Sequence, residues 1–165
     1  MSKIDGFEIR DAVVDDLPLI LHFIKELAEY ERMKDDVVTT EEILKESIFG
    51  DGSNTAVLLA FYNDEPVGFA IYFYNFSSFL GKKGIYLEDL YVTPDIRGKG
   101  FGKALLIRLA EIARDEGCGR LEWSVLDWNE SAIDFYNNLG AVAMDEWTVY
   151  RLNRDAIKTL AGTDS

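Results

Sequence analysis

A glycine-rich segment, Arg97-Gly98-Lys99-Gly100-Phe101-Gly102-Lys103, lies between a stretch of strand character and a stretch of helix character. Residues 84–92 have the apolar pattern of a strand, which Pro94 ends. Residues 104–116 carry apolar side chains at helical spacing and end at Gly117. A strand, a glycine turn and a helix in this order predict a strand–helix crossover, which requires a sheet with helices packed on its faces.

The rest of the chain adds strands and helices without a linker, repeat or low-complexity tract. Asn63-Asp64-Glu65-Pro66 predicts a hairpin turn, and Asp15 or Asp16 and the Thr39–Glu42 capping box predict two helix starts. The predicted strands are 7–12, 56–62, 67–74, 84–92, 121–126 and 141–152, and the predicted helices begin near 17, 42, 104, 129 and 153. We therefore expect one α/β domain over residues 1–165, with a mixed, mostly antiparallel central sheet and helices on both faces.

The charge and composition of the chain exclude several classes of partner. With 17 Lys and Arg against 30 Asp and Glu, the formal net charge is −13, which repels nucleic acid and anionic membranes. One cysteine, Cys118, and one histidine, His22, allow no internal disulfide and no cysteine- or histidine-rich metal site. The sequence has no signal core and no apolar run that could cross a membrane. We expect a soluble, cytoplasmic protein without metal, nucleic acid or membrane partners.

The glycine-rich segment has the composition of an anion site. Its glycines let backbone N–H groups turn towards a ligand, and the helix that follows adds its positive N-terminal end. Four basic residues and no acidic residue lie between positions 97 and 108, so phosphate is the natural ligand. A Walker motif fails because Ala104 follows the Gly-Lys pair, and a dinucleotide fingerprint fails because Lys103 replaces a glycine. The pattern that fits is Arg-x-x-Gly-x-Gly, although a turn that only begins the helix remains an alternative.

Two motifs together resemble a known family. The Arg-x-x-Gly-x-Gly pattern is similar to the pyrophosphate loop of the GNAT superfamily of N-acetyltransferases. Further along the chain, Trp128-Asn129-Glu130-Ser131-Ala132-Ile133-Asp134-Phe135-Tyr136, followed by Leu139-Gly140-Ala141, resembles the helix after the fifth strand of that family. Over residues 7–152 the chain resembles the diamine (spermidine/spermine) acetyltransferases, and Leu126-Asp127-Trp128-Asn129 is most similar to their thialysine-acetylating branch.

The resemblance implies acetyl-CoA as the cosubstrate and no metal. The implied acetyl-CoA residues come from a strand, the glycine-rich segment and a later helix: Leu90, Tyr91, Val92, Arg97, Gly98, Lys99, Gly100, Phe101, Gly102, Lys103, Asn129, Ser131 and Tyr136. The candidate amine pocket combines aromatic, acidic and hydroxyl side chains: Tyr30, Glu31, Glu122, Trp123, Ser124 and Asp127. The resemblance also implies a homodimer, which nothing in the composition shows.

Glu88 and Tyr136 are the candidate catalytic residues. A primary amine titrates near ~10.4, so a base must accept its proton at neutral pH, and Glu88 in the middle of a strand is the best-placed carboxylate. Tyr136, a phenol that titrates near ~10, can protonate a departing thiolate. Asp89 is expected on the opposite face of the strand, where it forms no dyad with Glu88. A solvated or ion-paired Glu88 and a core Tyr136 remain the non-catalytic alternatives.

These inferences predict an N-acetyltransferase that moves acetyl from acetyl-CoA directly to the primary amine of a small cationic substrate. That substrate is a diamine, a polyamine, or a thialysine- or lysine-like amine, among which the sequence does not distinguish. Two other functions remain open: acetylation of a protein or peptide amine, and a catalytically silent CoA-binding module.

Overall fold

A computed structural model describes residues 4–162 of the chain. Its five-stranded sheet has the order β1 (Phe7–Asp11), β2 (Thr55–Tyr62), β3 (Glu65–Ser77), β4 (Lys82–Val92) and β5 (Leu121–Trp123). The helices are α1 (Leu17–Tyr30), α2 (Glu41–Phe49), α3 (Phe101–Asp115), α4 (Glu130–Asn138) and α5 (Arg154–Ala161). Strands β1 to β4 pair antiparallel, and β5 pairs parallel to β4 through the α3 crossover. The predicted mixed sheet is therefore confirmed.

The chain divides into two compact units, Met1–Leu126 and Asp127–Ser165. The first unit holds the sheet with α1, α2 and α3, and the second holds α4 and α5. The expectation of a single domain over residues 1–165 stays a prediction. Among the described residues, no helix has both the length and the apolar character needed to cross a membrane.

Apolar side chains cover both faces of the sheet in the first unit. On one face, Ile20, Phe23 and Leu27 of α1 are buried at helical spacing against Phe69 and Ile71 of β3. On the other face, α3 packs against β2, β3 and β4. Burial of one such side chain contributes about 1.5–3 kcal/mol. Strand β4, which carries several of the candidate site residues, therefore lies between α1 and α3.

The turn between β2 and β3 is shorter than the sequence suggests. Tyr62 pairs with Glu65, which leaves only Asn63 and Asp64 in the loop. Their φ angles of 50° and 67° belong to the type I′ turn, whose twist matches that of the flanking strands. The predicted four-residue turn is corrected to two residues, and Pro66 lies inside β3.

Two predicted helix caps also differ from those in the structure. Thr40, rather than Thr39, accepts the N–H of Ile43 at 3.2 Å. Asp16 stands at the start of α1 without capping it: its carboxylate accepts Arg10 at 2.8 and 3.0 Å and the N–H of Val13 at 2.8 Å. A bidentate hydrogen bond between charged groups is stronger than the hydrogen bond of a helix cap, so Arg10 determines the orientation of the Asp16 side chain.

The strand or strand pair predicted at 141–152 is wrong, because the structure has no strand there. Val142, Trp147 and Tyr150 are largely exposed. Alternation of apolar residues gives a strand only where a sheet edge supplies hydrogen-bond partners, and an isolated hairpin is marginal in water. Strand β5 ends at Trp123 instead of residue 126, because its pairing with β4 stops at Leu87. The helix predicted beyond Asn153 is confirmed as α5.

Candidate active site

The edge of β4 that faces away from β3 is open beyond its middle. Strand β5 pairs with β4 only as far as Leu87. The N–H of Thr93 donates to Val67 of β3 at 2.8 Å, and successive residues of an antiparallel strand turn their N–H groups to opposite edges. The N–H groups of Val92 and Leu90 therefore point to the open edge, where no other strand of the first unit pairs with them within residues 4–126.

A β-bulge interrupts β4 at Glu88. Asp89 lies opposite Ile71 and Leu87 lies opposite Tyr72, so that Glu88 is the extra residue. The bulge breaks the alternation of side chains. Asp89 therefore shares a face with Ile71, which packs against α1. The expectation that Asp89 lies on the face opposite Glu88 is wrong, because one inserted residue shifts every later side chain by one position; both carboxylates interact electrostatically with Glu31.

Three carboxylates interact electrostatically beside this bulge. Glu31, at the C-terminal end of α1, has its pKa raised by burial and by the charge of Glu88. Burial first, and then the charges of Glu88 and Glu31, raise the pKa of Asp89 to about 7. Like charges held together disfavour the ionised forms until a cation lies among them. The side chains of α1 and β4 thus form a site that favours a positive ligand.

Asp89→Asn is expected to reduce the pH dependence of stability. The folded-state pKa of about 7 lies above the ordinary value of 3.8, so the stabilising contribution is fully present below pH 3.8 and is lost as the pH rises through 7. Between pH 5 and pH 8 the wild type should lose about 2–3 kcal/mol of unfolding free energy that the variant keeps. Denaturant unfolding at pH 5 and pH 8 measures the difference, and equal changes in both proteins would contradict the shift.

The glycine-rich segment forms an exposed turn at the start of α3. Gly98 and Gly100 have φ angles of 89° and 87°, a region that side chains disfavour. Apart from Gly98 itself and its two chain neighbours, no heavy atom of the described residues lies within 4 Å of the position that a Cβ on Gly98 would take. Gly100 begins α3 without a side-chain cap, and Phe101 anchors the first turn by stacking on Phe7 at 4.4 Å. The first N–H groups of the helix are therefore presented as an anion site needs them.

Arg97 connects this turn to the sheet and to α1. Its Nε donates to the carbonyl of Val92 at 2.9 Å. Its guanidinium lies 4.5 Å from the ring centre of Tyr30 and 5.5 Å from that of Tyr91, which are cation–π distances. Lys99 lies 5.5 Å from the ring of Tyr62. Arg97 thus brings the predicted coenzyme turn and Tyr30 of the predicted amine pocket into contact.

The predicted pocket residues of β5 lie on different faces of the sheet. Glu122 is in register with Tyr86, and Trp123 is in register with the buried Leu87. The hydroxyls of Tyr86 and Ser124 share a short hydrogen bond. Glu122 is engaged by Arg120 at 3.0 Å and by Asn75 at 3.4 Å, so part of its charge is neutralised within the protein. Strand alternation separates Trp123 from Glu122 and Ser124.

The remaining candidates lie in the second unit. Asn129 caps α4 by accepting the N–H of Ala132 at 3.4 Å, and its side chain also accepts the hydroxyl of Ser131 at 3.3 Å. Tyr136, on the same helix, is partly buried, with its ring 5.6 Å from that of Phe135. Asp127 is exposed at the start of this unit. The catalytic and coenzyme-binding roles of these residues stay predictions.

Sequence and structure comparisons identify the family. The model of the acetyltransferase (GNAT) family matches residues 20–141, more than half of the chain. The chain belongs to the GNAT acetyltransferase family. It is 39% identical over 165 residues to a Bos taurus protein named thialysine N-epsilon-acetyltransferase, covering 93% of this chain and 96% of that one. It is 36% identical over 170 residues to the Homo sapiens spermidine/spermine N(1)-acetyltransferase-like protein 1, covering 97% of this chain and 24% of that one.

A solved structure has a similar fold. An integron cassette protein from the mobile metagenome of V. cholerae has a TM-score of 0.79 and 30% identity, covering 96% of this chain and 99% of that one. The family match and the bovine relative identify the chain as a GNAT N-acetyltransferase, a family that uses acetyl-CoA as the acetyl donor. Within residues 4–162, no three His, Cys, Asp or Glu side chains are arranged to hold a metal ion.

Sequence reasoning missed two residues beside the GNAT site. The face of Asp89 does not follow from the sequence, because no residue type marks the bulge before it. Strand periodicity places Tyr86, two residues before Glu88, on the same face of β4 as Glu88, and its hydroxyl shares a hydrogen bond with that of Ser124. Its position could have been found from strand periodicity, whereas that of Asp89 could not.

Proposed function

We propose that this GNAT enzyme acetylates the primary amine of a small cationic substrate, either a thialysine- or lysine-like amine or a diamine or polyamine. The observation that carries the proposal is the set of interacting carboxylates of Glu31, Glu88 and Asp89 beside the open edge of β4. An ammonium among them would relieve their mutual repulsion. The names of the bovine and human relatives support these two substrate classes.

The open edge of β4 and the glycine-rich turn suit the binding of acetyl-CoA. The bound thioester supplies the acetyl group. In the proposal, the N–H groups of Leu90 and Val92 hold the acetyl and pantetheine arm as an added strand would be held. The N–H groups of the glycine-rich turn and α3 receive the pyrophosphate, and Lys103 adds positive charge. Asn129 and Ser131 are proposed to contact the pantetheine.

Two side chains are proposed to move the protons that amide formation requires. Glu88 accepts the ammonium proton, directly or through water, so that the nitrogen lone pair becomes available. Tyr136 donates the proton of its Oη to the departing sulfur. Glu31 and Tyr30 help to hold the cation, and direct transfer requires both substrates to be bound together.

We also propose that the enzyme acts as a homodimer. The support is the apolar surface of residues 141–152, where Val142, Trp147, Val149 and Tyr150 are 79%, 76%, 82% and 93% exposed. Exposed apolar groups at this density are typical of a surface that another chain covers. Light scattering at micromolar concentration should give twice the mass of 18.7 kDa, and a monomer would contradict the proposal.

A cytoplasmic location is proposed as well. Its support is compositional: a single cysteine among 165 residues fits a reducing compartment. Cell fractionation with an antibody tests it, and recovery of the protein outside the cytoplasm would contradict it.

An amine panel tests the proposed function. Purified protein is given acetyl-CoA with thialysine, lysine, putrescine, spermidine or a lysine-containing peptide, and CoA release is followed with a thiol reagent. Acetyl-CoA without an amine is the blank. We expect CoA release above the blank with the small amines. Release with the peptide alone would favour a protein substrate, and release with none would favour a silent CoA-binding module.

A further inference from the structure

A series of contacts connects Glu26 of α1 to Arg97 of the glycine-rich turn through Tyr91 of β4. The hydroxyl of Tyr91 donates to Oε1 of Glu26 at 3.2 Å. The guanidinium of Arg97 lies over the Tyr91 ring, 5.5 Å from its centre, which is a cation–π distance. One aromatic ring therefore contacts a carboxylate at its hydroxyl and a guanidinium at its face.

The ring of Tyr91 is held firmly by its surroundings. Tyr91 is 5% exposed, and its ring packs beside that of Phe23 on α1, with 6.0 Å between the ring centres. Burial first, and then the charge of Glu26 and the hydrogen bond to it, raise the pKa of Tyr91 to about 12. The phenol is therefore protonated throughout the neutral pH range, where it acts as a donor to the carboxylate.

The carboxylate of Glu26 is also held from its own helix. Its Oε2 lies 3.2 Å from Nε2 of His22, one turn earlier in α1. A hydrogen bond to a carboxylate polarises the phenol and makes its ring richer in electrons. Attraction between a cation and a ring depends on the negative charge of the ring face. Glu26 thus strengthens the contact between Tyr91 and Arg97.

Arg97 needs this support because of where it lies in the chain. It is exposed, and two glycines with positive φ follow it at positions 98 and 100. Its Nε donates to the carbonyl of Val92 at 2.9 Å, and Tyr30 contacts its guanidinium as well. A guanidinium binds phosphate oxygens best when its planar fork is held in one orientation. A side chain that is already held loses less freedom when the ligand binds.

We propose that Glu26 is a positioning residue, which acts through the hydroxyl of Tyr91 to hold Arg97 for the pyrophosphate of acetyl-CoA. The inference rests on the proposed function, which assigns the pyrophosphate to the glycine-rich turn. In this role Glu26 acts without touching the coenzyme. Loss of its charge, or of the Tyr91 hydroxyl, lowers the affinity for acetyl-CoA and leaves the chemical step unchanged.

Calorimetric titration with acetyl-CoA tests the inference in Tyr91→Phe and Glu26→Gln. Each change should raise the Kd about three- to tenfold, the effect of weakening one cation–π contact and one hydrogen bond. The kcat with both substrates saturating should stay within about twofold of the wild type. The side chain of Glu26 is 34% exposed, so Glu26→Gln provides the test if Tyr91→Phe does not fold.

Tyr74→Phe is the matched control for Tyr91→Phe. The hydroxyl of Tyr74 also donates to a carboxylate, that of Glu116, at 2.9 Å. This tyrosine contacts Lys83 instead of Arg97, with 4.7 Å between Nζ and the ring centre. Removal of its hydroxyl should leave the Kd for acetyl-CoA unchanged.

Two comparisons separate positioning of Arg97 from a general effect on the fold. S-acetylpantetheine keeps the thioester but lacks the pyrophosphate, so kcat/KM with this donor should be the same in the wild type and both variants. Arg97→Ala alone should raise the Kd for acetyl-CoA more than either variant does. In the Arg97→Ala protein, Tyr91→Phe should raise the Kd no further, because the guanidinium that it positions is gone.

An unchanged Kd in Tyr91→Phe and Glu26→Gln would overturn the inference. So would an equal loss of kcat/KM with the two donors, or a full effect of Tyr91→Phe in the Arg97→Ala protein. If the wild type binds acetyl-CoA but acetylates no amine, the proposed function fails, and the Kd values still decide the inference. If the wild type does not bind acetyl-CoA, both fail.

Discussion

Glu88→Gln is expected to reduce kcat/KM at neutral pH by about 10²–10⁴-fold, the usual effect of losing a general base. The amide keeps the size of the side chain and the bulge of β4, but it cannot accept a proton. Acetyl-CoA should still bind, because the open edge and the glycine-rich turn are unchanged. Steady-state kinetics from pH 5 to pH 9 measure the effect. The acidic limb of the plot of kcat/KM against pH should flatten.

The control for Glu88→Gln is Glu8→Gln, the same change on the exposed face of β1. A rate within a few-fold of the wild type and an intact acidic limb would show that Glu88 is not the base. The neighbouring carboxylate is then tested in turn, since the pKa of Asp89 is about 7 and suits proton transfer at neutral pH. Loss of the limb in Asp89→Asn alone would assign the role to Asp89.

Tyr136→Phe is expected to lower turnover by about 10²-fold or more while leaving the fold intact. The substitution keeps the ring beside Phe135 and removes only the hydroxyl that would protonate the departing sulfur. Melting temperature, calorimetric binding of acetyl-CoA and kcat are measured on the same preparation. We expect the first two to match the wild type and only the third to fall.

The control for Tyr136→Phe is Tyr150→Phe, in the same unit, where the side chain is 93% exposed. A fall in melting temperature for Tyr136→Phe alone would mean that the hydroxyl is structural. Normal turnover would mean that water or the amine itself protonates the sulfur. Either result would remove Tyr136 from the catalytic residues.

Local patterns predicted the elements that pack against the sheet. The apolar spacing of α1 and α3 and the alternation of β1 were sufficient, because the period of the apolar residues is set by the local sequence. The glycine-rich segment was predicted for the same reason, since Gly98 and Gly100 adopt φ angles that few other residues tolerate.

What the sequence did not predict depends on partners elsewhere in the chain. Residues 141–152 have strand character but no strand in the described structure, because pairing requires a free edge in register. The side-chain face of Asp89 depends on the inserted residue opposite β3, which no composition records. The contact between Arg97 and Tyr30 joins segments that are far apart in the chain.

Because of the bulge at Glu88, the number of residues in β3 and β4 affects which side chains face the amine as much as the residue types do. Removal of that one residue would restore regular pairing between β3 and β4, and the residues before position 88 would then have to slide along β3 or turn over. A homologue that differs by a single insertion or deletion in either strand would keep every acidic residue and still present a different set to the amine. Substrate range among such relatives is therefore expected to change with strand length before it changes with active-site composition.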